Sequence, residues 1–184
     1  MAEPPILQLP EVDPAHLAVV IRAVVAEDRA QAERLRAGAL QTVADQPDDG
    51  TAARRFQSLL EIGYLVASAD GLADQEREAL ARLLEQLTDA VLDRAALELH
   101  FRDLDEAVAA MGRRERLGRA AADLDDDDRD SALGFAAAIA MSDGWLGDAE
   151  LAVLIELGAH MSIPADRARE LVEQVVARVE SRLR

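Results

Sequence analysis

Asp70-Gly71 closes one apolar run of this chain, and Asp143-Gly144 closes another 73 residues later. Each pair is followed by two more acids, Asp74 and Glu76 in the first copy, Asp148 and Glu150 in the second. Clustered carboxylates with no cysteine or histidine beside them suit hard cations, calcium or magnesium before zinc. The six acids are the candidate metal ligands, and calcium is the first candidate ion.

The acids recur within a longer repeat. With Trp145 taken as a one-residue insertion, Leu72 matches Leu146, Leu80 matches Leu154 and Leu83 matches Leu157. Asp93-Arg94-Ala95 and Asp166-Arg167-Ala168 then restore the offset of 73. Such self-similarity is the first thing to seek in a sequence. It predicts two related helical units, each presenting an acidic loop at the same place.

Much of the motif also follows from helix ends alone. Gly71 and Gly144 fit a left-handed helix terminus, Asp74 and Asp148 fit the cap of the next helix, and Glu76 and Glu150 fit its first turn. Asp70 and Asp143 fit less well, because a carboxylate at a helix C-terminus faces the negative end of the dipole. A cation or a basic side chain would offset that cost. An EF-hand also sets Asp-Gly at its centre and Glu at its end. Here, however, the two earlier carboxylate positions would be Ile139 and Met141, and Arg77 would close the first loop, so an EF-hand is rejected.

The elements that must position these loops read as helices throughout. Asp13-Pro14 marks a helix start after the proline-rich residues 1–12. One helix, or a broken pair, then runs to about Ala44, with Leu17, Val20, Val24, Leu35 and Leu40 expected in the core. Gln46 to Gly50 is a loop. Phe56, Leu59, Leu60, Gly63, Tyr64 and Ala67 recur at helical spacing before the first acidic loop. Further helices follow from Asp74, from near Asp93, up to Ser142, from Asp148 to about Met161, and from Asp166 to Leu183. Arg113, Arg114, Arg116 and Arg119 form a basic patch, and the run Asp123–Asp130 reads as a solvated helix cap. No segment alternates as a strand does. The expectation is an all-α domain of about seven to nine helices built from two pseudo-symmetric repeats. Residues 1–50 form an arm and helix, 51–122 the first repeat and 123–184 the second.

Composition limits the function classes. Half of the 184 residues are apolar, five are aromatic, and every basic side chain except the three histidines is arginine, a bias that suggests a GC-rich bacterial genome. The net charge of −16 repels phosphate backbones, so nucleic acid is not expected as a partner. With no cysteine there are no disulfides or thiolate sites. No apolar run has the length of a membrane span and no signal peptide is evident, so a cytoplasmic chain without direct membrane insertion is expected. Catalysis is not expected either. The chain lacks a nucleophile elbow, a phosphate loop and a paired-histidine metal motif, and His16, His100 and His160 do not follow the repeat. Trp145, inside the second loop, reads equally as a buried anchor and as a partner contact.

Ser68-Ala-Asp-Gly-Leu-Ala-Asp-Gln-Glu76 and Met141-Ser-Asp-Gly-Trp-Leu-Gly-Asp-Ala-Glu150 resemble the TerB-like family of tellurite-resistance proteins. The related domain of the membrane-anchored co-chaperone DjlA looks similar. The resemblance covers roughly residues 51–184. It implies an all-α fold of two pseudo-symmetric halves, an acidic face binding divalent cations through both loops, and no catalysis. It also implies a stress-response role with membrane-associated or cytosolic partners. A metal-free interaction domain, its acidic face docking a basic partner, is the alternative.

Overall fold

A computed structural model describes residues 7–8, 13–43 and 51–184. Most of the expected arm, and the Gln46–Gly50 loop, lie outside the described residues. Within them the chain is helical: α1 (Pro14–Glu27), α2 (Arg29–Val43), α3 (Thr51–Ala67), α4 (Asp74–Leu87), α5 (Arg94–Met111), α6 (Arg113–Ala122), α7 (Arg129–Ala140), α8 (Asp148–His160) and α9 (Ala165–Leu183). Short 3₁₀ turns at Asp126–Asp128 and Met141–Asp143 flank α7. The β pairing among the described residues is small: β1 (Leu7–Gln8) runs antiparallel to β2 (Trp145–Leu146).

Local chemistry accounts for most boundaries. Asp13 Oδ1 accepts the Ala15 N–H at 3.2 Å to open α1, and Asp93 Oδ1 accepts the Ala96 N–H at 2.8 Å to open α5. Gly112, at φ 87°, separates α5 from α6, and Ser162, at φ 60°, separates α8 from α9. Two boundaries differ from expectation. The residue capping α4 is Ala73 and the one capping α8 is Gly147, so Asp74 and Asp148 are the first helical residues and not the caps. Each still lies where the dipole favours negative charge.

Helices α3 and α7 form the centre. From Ser58 to Ala67, and from Phe135 to Ala140, every residue is buried, as befits helices apolar on all sides. α2, α6 and α8 pack on α3, and α9 packs on α7. α1 contributes Leu17, Ile21 and Val24 to the same core and touches α4, α7 and α9, so the N-terminal helices are continuous with the rest. Leu40 departs from the expected core. The buried stripe of α2 is Leu35, Gly38 and Ala39 at helical spacing, which turns Leu40 outward to 51% exposure.

Several side chains of both charged runs join helices. Asp128 pairs with Arg34 and Asp130 with Arg167, each at 3.0 Å, while Asp125 meets Arg55 and Asp126 meets Arg129. No side chain of this run caps α7, which begins after Asp128. In the basic patch, Arg116 grips the buried Glu61 with two hydrogen bonds of 2.5 and 2.6 Å. Arg113 donates to the carbonyls of Ser68 and Ala69 at the end of α3. Arg114 and Arg119 reach Glu156 and Glu115.

Candidate functional site

The C-terminal ends of α3 and α7 meet, and their two Asp-Gly loops open onto one cleft of about 400 Å³. It is lined by Ala67, Asp70, Leu72, Glu76, Ala140, Ser142, Asp143, Trp145 and Glu150. Four of the six acids singled out in the sequence therefore share one space. Asp74 and Asp148 do not line it; both are exposed on the first turns of α4 and α8.

Each loop is shaped by glycine and by a glutamate reaching backwards. Gly71 has φ 105° and Gly144 has φ 87°, conformations that L side chains rarely adopt. Glu76 Oε2 accepts the Ala73 N–H at 2.7 Å, and Glu150 Oε2 accepts the Gly147 N–H at 2.8 Å. This is the glutamate half of a capping box, since alanine and glycine offer no side-chain oxygen in return. Asp143 Oδ1 accepts the Trp145 N–H at 2.9 Å, closing an Asx turn. The loops then differ. After Gly71 the chain reaches α4 through Leu72 and Ala73, whereas after Gly144 Trp145 and Leu146 form β2.

The electrostatics of the cleft are one-sided. Arginines neutralise acids over much of the molecule, yet among the described residues none of these four acids enters an ion pair. Arg77 follows Glu76 in sequence but turns to Asp105 at 2.6 Å and to the Tyr64 hydroxyl at 3.0 Å. There it supports the stacked Tyr64–Phe101 pair, whose ring centroids are 4.7 Å apart. Arg113 reaches the first loop, but its two terminal nitrogens donate to the carbonyls of Ala69 and Ser68. The Glu150 carboxyl is pushed up to about 8. Burial is the largest cause, the Gly147 N–H opposes it, and the charges of Asp143, Asp70 and Glu76 add to it. Asp143 is exposed as a residue, yet desolvation of its carboxyl and the charges of Glu76 and Asp70 raise it too, against the hydrogen bond from Trp145.

An all-oxygen donor set in an acidic, partly desolvated cleft fits a hard cation. As the side chains stand, no three His, Asp or Glu among the described residues form a ready ligand cluster. Binding would therefore draw the carboxylates inward, with water completing the shell. The three histidines lie elsewhere, and none lines the cleft. Trp145 forms part of the wall and is exposed at 36%, so it is not the buried anchor that one reading of it expected. Leu72, Ala67 and Ala140 give the cleft an apolar floor, and nothing in the repeat spacing marked them as lining.

Comparison with protein-family models, with curated proteins and with solved structures returned no match. Among the described residues, no helix is long and apolar enough to cross a membrane.

Proposed function

We propose that this chain is a non-catalytic, TerB-like cation-binding module whose acidic cleft takes a divalent ion, calcium first. Asp70, Glu76, Asp143 and Glu150 would hold it. In this reading residues 51–122 and 123–184 are related copies, each supplying one aspartate and one glutamate. The ion would join the two loops and report to a cytoplasmic stress-response partner. The observation carrying the reading is the convergence of four carboxylates that, among the described residues, pair with no arginine, in a molecule whose other acids are widely paired with it. The neighbouring charges help to raise the Asp143 and Glu150 carboxyls, and a divalent cation would relieve the same repulsion.

Trp145 gives the test a reporter. Calcium, magnesium, manganese and zinc are titrated in turn while tryptophan emission and Tm are followed, with Asp70→Ala and Asp143→Ala alongside. The expected result is a saturable change and a rise in Tm, abolished by either substitution. Flat responses to millimolar ion would defeat the reading.

A second reading is favoured by the aromatic wall and by the absence of a ready ligand cluster among the described residues. The cleft would then receive a basic side chain of a protein partner without metal, with cation–π contact to Trp145. Its signature is binding that weakens steadily with salt and is indifferent to chelators.

A further inference from the structure

The β1–β2 pairing touches the cleft itself. Its register sets Leu7 opposite Leu146 and Gln8 opposite Trp145. Trp145 lines the cleft and donates its N–H to Asp143. Leu146, the next residue, is fully buried, so β2 is anchored in the core at one end and borders the acids at the other. The first loop has no strand at the matching place. A two-stranded pairing this short is marginal in water unless one strand is fixed to a larger body, as β2 is here.

We propose that β1 is a strap that holds the Asp143–Trp145 backbone in place and so sets the cleft's affinity for a cation. The inference rests on the cation-binding reading above. Asp143 is the link. A cation competes with the Trp145 N–H for its carboxylate, and without other support the loop would lose its turn when Asp143 swings inward. With β1 paired to β2, the Trp145–Leu146 segment stays held in that pairing, and Asp143 can bind without that loss. Coupling of this kind is reciprocal, so an occupied cleft also tightens the strap.

The test uses the full chain carrying Leu7→Pro, Gln8→Pro or both, since proline cannot donate to a β ladder. Helical circular dichroism without added ion reports whether the fold is kept. Calcium chloride is then titrated on Trp145 emission. The double variant is expected to need about fivefold more calcium, or more, for half-saturation. In the unaltered chain, amide exchange at Leu146, opposite Leu7, is expected to slow when calcium is added. Equal half-saturation together with unchanged exchange would overturn the strap and leave the cation reading standing. An unaltered chain with no saturable response overturns both. Should the proline variants lose helical signal, exchange in the unaltered chain decides alone.

Discussion

Gly63 of α3 faces Ile139 of α7 so closely that a Cβ at position 63 would lie 3.2 Å from Ile139 Cγ2. This approach lets the two central helices bring their C-terminal Asp-Gly loops to one cleft. A branched side chain at position 63 would wedge them apart. Gly63→Val is expected to cost about 1–3 kcal/mol in urea unfolding, as overpacked cores do. Gly63→Ala should cost less, because alanine recovers about 1 kcal/mol of helix propensity. Equal stabilities for all three proteins would remove the role assigned to this contact.

Glu150 makes stability depend on pH in an unusual direction. Its carboxyl ionises near pH 8 in the fold, against 4.5 as its ordinary value. Between those values the folded state keeps a proton that the unfolded chain has released, so its contribution weakens stability as pH rises, and the full cost is present above pH 8. Glu150→Gln keeps an oxygen for the Gly147 N–H and removes the charge. At about pH 8.5 the variant should be more stable than the parent, by a few kcal/mol at most. The two should converge toward about pH 5. Thermal melts across that range check the trend, and a variant less stable at every pH would contradict it.

Cation binding should show the matching dependence. Protons and ions compete for Glu150 and Asp143, so the calcium needed for half-saturation is expected to rise as pH falls below 8. A titration at several pH values measures this directly. A pH-independent midpoint would mean that neither carboxylate takes part.

Neutralising the acids one at a time separates those in the cleft from those outside it. Asp74→Asn and Asp148→Asn should each cost about 0.3–1 kcal/mol by weakening a helix N-terminus, and should leave the ion midpoint unchanged. Asp143→Asn should raise that midpoint at least about tenfold. Equal effects from all three would point to diffuse electrostatics and not to ligation.

Arg116 and Glu61 test the scaffold independently of the cleft. Their bidentate contact is largely buried, with side-chain exposures of 21% and 11%. Arg116→Ala strands a buried carboxylate and should cost about 3 kcal/mol. Adding Glu61→Ala should recover part of that loss, the non-additivity expected of contacting residues. Additive losses in a double-mutant cycle would show that the pair contributes no coupling.

Much of the fold is legible before any coordinate is known. The spacing of Phe56, Leu59, Leu60, Gly63, Tyr64 and Ala67 marks α3, and Asp13 and Asp93 announce the starts of α1 and α5. Leu40 was misread because several apolar residues of α2 compete for one buried stripe, and the partner helix decides which of them turn inward. Arg113 and Arg116 were legible only as positive charge. Their partners, the α3 carbonyls and Glu61, lie far along the chain.

Caps, glycine conformations and helical periodicity act within a turn or two of chain. For that reason the sequence alone determined most of the helices, the two acidic loops and the six acids in and just after them. The tertiary structure decided that Asp70, Glu76, Asp143 and Glu150 share one cleft while Asp74 and Asp148 face solvent. It also decided that, among the described residues, no arginine pairs with the four, and that β1 lies along Trp145. These outcomes depend on how α3 packs against α7 and on where the helix starts direct their first residues, and such contacts join residues too distant in sequence for any local pattern to encode.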